Sequence, residues 1–289
     1  MKHSTDLKLQ ARLARRTARR LSQMLRYNRL TLQDMPILFA NSFPKSGTHL
    51  LTQVLQGFTR LGPFVDSGLP ALVTFEGETG RPRATGEILQ DLNRLLPGDI
   101  AYGHLHATQE VADVLCQEKF IPFFILRDPR DVVVSHVHYV TDMAPNHAHH
   151  NYYVEELHNF DERLRVSIVG RPDTAMPFLD IRARFEPYTG WFDHPQVFVL
   201  HYEDFITKPE KTTGCVLDHA IQRGFSPGFD REHAIRQLAK GINPQRSPTF
   251  RSGKIGDWRR QFSQANKQLF KEVAGDLLIR LGYEQNYDW

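Results

Sequence analysis

The segment from Ile37 to Thr48 constrains the fold of this 289-residue chain more than any other part of its sequence. It begins with the mainly apolar stretch Ile-Leu-Phe-Ala-Asn-Ser, which is typical of a short buried strand. The polar turn Pro44-Lys45-Ser46-Gly47-Thr48 follows at once. Apolar residues then recur at helical spacing, at Leu50, Leu51, Val54, Leu55 and Phe58. The segment therefore predicts a strand, a tight turn and a helix in that order.

Strand and helix patterns alternate along the rest of the chain. Further strands are predicted at 100–104, 120–127 and 196–201. Helices are predicted at 109–119, 129–139, 203–223, 229–240 and 264–281, the second of them capped by Asp128. Because such alternation is typical of parallel sheets covered on both faces, we expect residues 35–289 to form a single α/β domain with a central parallel sheet flanked by helices.

Polar and charged side chains stand where the predicted strands end. Lys45, His104, Arg127 and Tyr202 all lie at or just past a predicted strand end. In parallel α/β sheets, ligands bind beyond the carboxyl ends of the strands. We therefore expect these four side chains to converge on one edge of the sheet.

The turn at Lys45 has the features of a phosphate site. Backbone N–H groups and the positive end of the following helix bind anions, and Lys45 and Thr48 add an ammonium and a hydroxyl. The turn resembles a Walker loop, which favours a P-loop NTPase-like fold, but its lysine precedes its glycine. An ATP-dependent small-molecule kinase and a non-catalytic nucleotide-binding protein at a membrane surface therefore remain alternatives.

Four separated segments, in the same order, resemble the signatures of the sulfotransferases that use 3′-phosphoadenosine 5′-phosphosulfate (PAPS). They are Phe43–Thr48, Leu126–Ser135, His201–Asp204 and Arg251–Trp258. The resemblance is to the cytosolic-type branch of the family. It implies transfer of a sulfuryl group from PAPS to a hydroxyl or amine of a small molecule, with 3′-phosphoadenosine 5′-phosphate (PAP) as product and no metal.

The resemblance also implies roles for individual residues. Those implied to hold the 5′-phosphosulfate are Lys45 and the loop amides of Ser46, Gly47 and Thr48, and His49 is a further candidate for binding the cofactor. Those implied to hold the 3′-phosphate are Arg127, Ser135, Arg251, Ser252, Gly253 and Lys254, with Tyr202 beside the nucleotide. From the residues alone, Arg127 could equally pair with Asp128 or Asp131.

The chain departs from the family pattern at two positions. Leu50 stands where the family has a tryptophan that stacks on adenine, so another side chain is needed for an aromatic contact. Ser252 stands where a lysine is common, and Lys254 is the candidate for the missing charge.

The segment Gly103-His104-Leu105-His106 supplies candidates for the base that removes the acceptor proton. By resemblance His104 is the base and Lys45 neutralises the leaving phosphate. His106 would lie on the same side of a longer strand and stays a rival. Some branches of the family use a glutamate, which would leave His104 lining the acceptor site.

A second group of histidines lies in a predicted loop. Its members are His136, His138, His147, His149 and His150, and their spacing matches no compact ligand set, so we expect no metal site. The segments 141–153 and 64–85 are predicted to border the acceptor pocket, whose aromatic residues suit an apolar alcohol or phenol.

Residues 1–34 are predicted to form a basic amphipathic arm. Residues 1–29 hold nine Lys or Arg against one acid, Asp6, whereas the whole chain has a net charge of only +3. An apolar stripe at helical spacing comprises Leu7, Ala11, Ala14, Ala18, Leu21 and Leu25. Three alternatives remain for residues 7–29: binding an anionic membrane, self-association, or packing on the domain with the charged face in solvent.

The sequence also bears on the compartment. Its two cysteines, Cys116 and Cys215, are far apart and indicate no disulfide framework. The N-terminus lacks the apolar stretch of a secretory signal, and apolar runs such as Phe120–Leu126 are far shorter than the roughly 20 residues that span a bilayer. We predict a cytoplasmic protein with no nucleic-acid partner.

Overall fold

The computed structural model describes residues 2–171, 178–247, 251 and 253–289, with side chains from residue 9 onward. A six-stranded sheet lies at its centre, with the strand order β2-β4-β1-β5-β6 and with β3 also paired to β4. The strands are β1 (Ile37–Ser42), β2 (Val65–Asp66), β3 (Leu72–Val73), β4 (Asp99–His104), β5 (Phe120–Leu126) and β6 (Phe198–His201). All of these pairings are parallel, as predicted.

The helices surround the sheet. They are α1 (Lys2–Arg26), α2 (Thr48–Gln56), α3 (Thr85–Asn93), α4 (Gln109–Leu115), α5 (Pro129–His138), α6 (Phe160–Val169), α7 (Ile181–Thr189), α8 (Tyr202–Thr207), α9 (Pro209–Gln222), α10 (Arg231–Ala239), α11 (Trp258–Gln261) and α12 (Gln264–Arg280). The single helix predicted at 203–223 is wrong, because α8 and α9 are separated at Lys208. Pro209 starts α9, and a proline disfavours helical backbone at the residue before it.

Alternate residues of the central strand face opposite layers. Ile37 and Phe39 belong to a core that includes side chains of α4 to α7 and α12. Leu38 and Ala40 belong to a second core with α2, α9 and α10. All six residues of β1 are buried, which explains why its sequence is a continuous apolar run rather than an alternating one. The predicted single domain with a central parallel sheet flanked by helices is confirmed.

The register of the sheet brings the strand ends together. Asn41 of β1 pairs with Gly103 of β4, and Ser42 pairs with Ile125 of β5. Leu126 at the end of β5 pairs with His201 at the end of β6. The segments that follow β1, β4, β5 and β6 therefore start from one edge of the sheet, as predicted.

Helix α1 packs on the domain through its arginines. Arg16 is buried, and its guanidinium hydrogen-bonds to Asp99 (Nε to Oδ1, 3.2 Å) and to the carbonyl of Arg94 (2.9 Å). Arg20 reaches the same carboxylate and the carbonyl of Pro97 (2.8 Å). Two arginines of α1 thus face the domain, whereas Arg12, Arg15, Arg19 and Arg26 are exposed. The buried Asp99 needs a cation, whereas an alanine-rich stripe gains little by burial.

Along the part of the chain that is described, no helix combines the length and the apolar composition that a bilayer-spanning segment needs. Cys116 and Cys215 are free thiols, and both are half-buried.

Candidate active site

The turn between β1 and α2 follows a left-handed path. Lys45 has a φ of 68° and Gly47 a φ of 98°, values that favour glycine. A β-carbon on Gly47 would lie 2.6 Å from Tyr202 Cδ2, so space as well as conformation excludes a side chain there. Gly47 is also the residue from which α2 begins. The turn thus brings the positive end of α2 to the carboxyl edge of the sheet.

A buried hydroxyl network holds His104 at the end of β4. Ser42 Oγ lies 2.7 Å from Thr48 Oγ1 and 3.0 Å from His104 Nδ1. The carbonyl of Ser42 also lies 3.1 Å from His104 Nδ1. Because Ser42 engages Nδ1, Nε2 is the ring nitrogen that remains for a bound acceptor.

Burial lowers the pKa of His104 to about 4, although its contact with the Ser42 carbonyl opposes this, and positive charge on His49 and Lys45 lowers it further. The ring is therefore neutral at pH 7 and can accept a proton. The backbone next to His104 is fixed by Asn41, whose side chain hydrogen-bonds to both the carbonyl (2.9 Å) and the amide (2.8 Å) of Leu105.

Lys45 is poised to respond to an anion. Its Nζ lies 3.8 Å from the centre of the Tyr139 ring, a cation–π contact. Burial, and then the positive charge of Arg127, lower the pKa of Lys45 to about 7. An anionic ligand would offset both effects and stabilise the ammonium form.

Arg127 projects from the end of β5. Its Nη2 lies 3.3 Å from Asp131 Oδ2 and donates to the carbonyl of Lys254 (2.8 Å), while its Cζ lies 4.7 Å from the centre of the Tyr202 ring. Of the two alternatives considered for its partner, Asp131 is therefore observed, since Asp128 pairs with Arg130. The Arg127 Nε is buried and has no hydrogen-bond partner among the residues described.

The late loop, residues 251 and 253–257, lies against Arg127. The Tyr202 hydroxyl donates to the carbonyl of Gly253 (3.0 Å). Asp131 accepts the backbone N–H groups of Gly256 (2.8 Å) and Trp258 (3.0 Å). Arg251 pairs with Asp257 and also faces the cavity. Segments distant in sequence thus meet at one point.

Most of the predicted site residues line one cavity of about 790 Å³. They are Lys45, Gly47, Thr48, His49, His104, Arg127, Ser135, Tyr202, Arg251 and Gly253. Ser46 is fully buried, and its hydroxyl has no partner within the described ranges. The Lys254 side chain is exposed and does not line the cavity, so that residue contributes its carbonyl instead. Ser252 lies outside the described residues.

We call the part of the lining that contains Lys45, Arg127 and Arg251 the cationic lobe, and the part rich in rings the aromatic lobe. Its rings include Phe75, Tyr102, His106, Phe178 and Tyr188. The His106 ring lies 4.8 Å from that of Tyr188 and 5.5 Å from that of Phe75, and burial lowers its pKa to about 4. His106 therefore shares the cavity with His104, although β4 ends at His104.

Glu76 is the one carboxylate among the described residues of the cavity lining. Its hydrogen bonds to Arg81 (2.7 Å) and Thr79 lower its pKa to about 2. Such a carboxylate is a weak base at neutral pH.

Only some histidines of the second group face the cavity. His136, His147 and His149 line the cavity, whereas His138 bonds to Asp142 and His150 to the carbonyl of Val140. Burial holds the pKa of His136 well below its ordinary value. Where the structure is described, no three His, Cys, Asp or Glu side chains are grouped to hold a metal ion.

Three residues that organise this site are not singled out by the sequence alone: Asn41, Ser42 and Asp131. The available signal for the first two was a polar pair ending an otherwise apolar strand. Asp131 was considered only as a partner for Arg127, because its contacts to Gly256 and Trp258 span more than a hundred residues of sequence.

Comparisons with known proteins identify a similar family over part of the chain. Residues 115–220 match the family model of the sulfotransferase domain. No curated protein sequence gives a significant match to the chain.

Solved sulfotransferase-type structures share the fold. The chain is 19% identical to mouse sulfotransferase SULT7A1 complexed with PAP, with a TM-score of 0.56 over 85% of this chain and 84% of that one. It is 16% identical to retinol dehydratase in complex with androsterone and inactive cofactor PAP, with a TM-score of 0.57 over 86% of this chain and 83% of that one. A retinol dehydratase complex with retinol and PAP gives 17% identity and a TM-score of 0.55, over 86% and 83% of the two chains. The predicted resemblance to sulfotransferases is therefore found in residues 115–220, which are similar to the sulfotransferase domain, and the chain shares the fold of these solved structures.

Proposed function

We propose that this protein transfers a sulfuryl group from PAPS to a hydroxyl, or an amine, of a small apolar acceptor. One observation carries the proposal: a single cavity joins a cationic lobe, containing Lys45, Arg127 and Arg251, to an aromatic lobe, with His104 lining the same cavity. The cationic lobe suits a donor with anionic groups at two positions. The aromatic lobe suits an apolar alcohol or phenol.

The cationic lobe fits the two anionic ends of PAPS. Lys45 and the amides at the start of α2 would hold the 5′-phosphosulfate, and Arg127, Ser135 and Arg251 would hold the 3′-phosphate. The buried Arg127 Nε and Ser46 Oγ have no partner among the residues described. Unsatisfied buried donors are costly, so a bound anion that accepts from Arg127 would remove a penalty.

Apolar side chains are available for the adenine where the family has a tryptophan. Leu50 lines the cavity together with Phe205, Ile206, Ile242 and Pro244. These side chains would supply apolar contact to the base, and Phe205 is the aromatic ring among them.

The reaction requires an in-line displacement at sulfur. The acceptor oxygen forms a bond to sulfur while the bond from sulfur to the bridging phosphate oxygen breaks. The acceptor proton passes to His104 Nε2, and the electron pair of the broken bond leaves on the phosphate of PAP. Lys45 neutralises that charge, an electrostatic effect of about 3–4 kcal/mol for one well-aimed donor.

The aromatic lobe supports an apolar acceptor. The solved retinol dehydratase complexes contain androsterone and retinol, two small apolar alcohols, in a protein of the same fold. In this chain Phe75, Tyr102 and Tyr188 line the cavity that also contains His104. We propose the same acceptor class here.

Nucleotide selectivity tests the proposal. The purified protein would be titrated with PAP and, separately, with ATP and Mg²⁺, and its unfolding temperature followed. A ligand at about 100 times its Kd adds about 2.7 kcal/mol to the free energy of unfolding. PAP should stabilise the protein and ATP should not. Stabilisation by ATP alone would support the kinase alternative and overturn the proposal.

Activity supplies the second test. PAPS would be incubated with the protein and a panel of simple phenols and apolar alcohols, and the formation of PAP and of sulfated product measured together. PAP binding without product from any acceptor would support a non-catalytic nucleotide-binding protein instead.

A further inference from the structure

The face of α1 that points away from the domain is apolar. Leu21 and Leu25 are 56% and 83% exposed. Ala18 and Ala14 lie exposed on the same stripe, one and two turns before Leu21. Leu30, just beyond the helix, is 97% exposed. Large apolar side chains gathered on one solvent-facing stripe mark an interaction surface.

The orientation of α1 is fixed by polar contacts on the opposite face. Arg16 and Arg20 both reach the fully buried carboxylate of Asp99. The Tyr27 hydroxyl donates to the carbonyl of Thr59 (3.1 Å) just after the helix ends. If α1 rotated to bury Leu21 and Leu25, the buried carboxylate of Asp99 would lose its arginine partners. The apolar stripe therefore stays exposed to solvent.

Exposed arginines lie along one side of this stripe. At about 100° per residue, Arg15 and Arg26 lie roughly a quarter turn from its centre, and both are exposed. Arg12 is exposed farther round the helix. Residues 1–29 contain one acid, Asp6, against nine basic residues. The surface therefore combines apolar side chains with uncompensated positive charge, the pattern of a helix that lies in a lipid interface.

We propose that α1 binds the protein to the surface of an anionic lipid bilayer. Leu21 and Leu25 enter the boundary between headgroups and acyl chains, and Arg15 and Arg26 contact lipid phosphates. A second copy of the chain fits this surface less well, because apposing two such faces would bring their arginines together without acidic partners. The proposal is independent of the reaction catalysed.

The composition of the stripe sets the strength of the binding. Alanine buries little area, and each arginine near an anionic surface strengthens partitioning by about fivefold. The association should therefore be reversible and sensitive to salt.

Vesicle co-sedimentation of the full chain tests the proposal. Vesicles with about 30% phosphatidylserine in phosphatidylcholine would be compared with pure phosphatidylcholine, at about 0.1 M salt and again at 0.5 M. Binding to the anionic vesicles at low salt, and its loss at high salt, is the expected result. No binding to either vesicle, or equal binding to both, would overturn it.

Matched variants locate the surface. Replacing the two arginines (Arg15→Gln with Arg26→Gln) should weaken vesicle binding by about 25-fold, and replacing the two leucines (Leu21→Gln with Leu25→Gln) should also weaken it. The control for the arginine variant is Lys211→Gln with Lys240→Gln, which removes the same amount of charge from another part of the surface. The control for the leucine variant is Ile221→Gln, which removes an exposed apolar side chain outside α1. The controls should bind within about twofold of the wild type.

Sedimentation equilibrium tests the remaining alternative, that the apolar stripe of α1 binds a second copy of the chain. The wild-type chain should sediment as the same species as the variant with both leucines replaced (Leu21→Gln with Leu25→Gln). A dimer that is present in the wild type and lost in this variant is not expected. Such a dimer, without vesicle binding, would assign the stripe to a second copy and overturn the membrane proposal.

Discussion

Asp131 joins Arg127 to the late loop through one buried carboxylate. Its Oδ2 lies 3.3 Å from Arg127 Nη2 and accepts the Gly256 amide at 2.8 Å, while Oδ1 accepts the Trp258 amide at 3.0 Å. The Asp131 side chain is fully buried. A change in this carboxylate would therefore disturb Arg127 and the late loop together, although Asp131 does not line the cavity.

We expect Asp131→Asn to weaken PAP binding by about tenfold. The substituted side chain lacks the negative charge that orders Arg127, and it has one accepting oxygen instead of two. Isothermal titration with PAP measures this. Asp161→Asn is the matched control, because Asp161 also accepts side-chain hydrogen bonds, from Ser263 and Asn266, outside the cavity. Unchanged PAP affinity in Asp131→Asn would contradict a positioning role.

His104→Ala should keep PAP affinity within about threefold and lower turnover by 10² to 10⁴, roughly the range for loss of a general base. His106→Ala is the comparison, because His106 lines the same cavity and also has a pKa lowered to about 4. It should alter the KM for the acceptor more than turnover. The reverse pattern in single-turnover sulfation assays would transfer the role of base to His106.

The affinity for PAP should fall as pH rises above 7. Burial lowers the pKa of Lys45 to about 7 in the free protein, and a bound phosphate raises it again. Above pH 7 the lysine must therefore take up a proton on binding, so the Kd should rise by up to about tenfold per pH unit.

Calorimetry of PAP binding in buffers of different ionisation enthalpy measures this proton uptake directly. Lys45→Arg is the control, because a guanidinium stays charged throughout the range and its binding curve should be flat. A Kd for the wild-type protein that does not change between pH 7 and 9 would contradict the lowered pKa.

Gly47→Ala should lower the free energy of unfolding by about 2–5 kcal/mol, from left-handed strain and from overpacking. The added carbon would meet Tyr202 Cδ2 at 2.6 Å. Gly86→Ala in the first turn of α3 meets nothing within 4 Å and should be neutral or slightly stabilising. Urea unfolding compares the two variants, and equal stabilities would show that the turn relaxes freely.

The sequence predicted the elements whose signals are local. The apolar run of β1, the turn at Lys45 and the strand ends at His104 and Arg127 each depend on a few neighbouring residues, and the structure has them. The hydrogen bonds from Ser42 to His104 depend on the parallel register of β1 and β4, which a single sequence does not specify. Asp131 likewise depends on the path of a distant loop.

The orientation of α1 shows why periodicity alone was insufficient. A helical apolar stripe ordinarily faces the core, because its burial is favourable. Here Asp99 lies 83 residues after Arg16 in the sequence and is buried at the start of β4, where it needs a cation. That long-range requirement outweighs the burial of alanines and two leucines.

The pair between Arg16 and Asp99 should therefore be a large contributor to stability. Arg16→Ala leaves the buried carboxylate of Asp99 with the partly exposed Arg20 and the backbone amide of Leu96 as its partners. Such broken pairs lower the free energy of unfolding by about 3–5 kcal/mol. Arg29→Ala is the matched control, since the ion pair of Arg29 with Asp34 is exposed on both sides and should change stability by less than about 1 kcal/mol. Urea unfolding at pH 7 measures both. If the two variants unfolded at the same urea concentration, α1 would not be fixed by its arginines, and its leucines would be free to turn toward the domain.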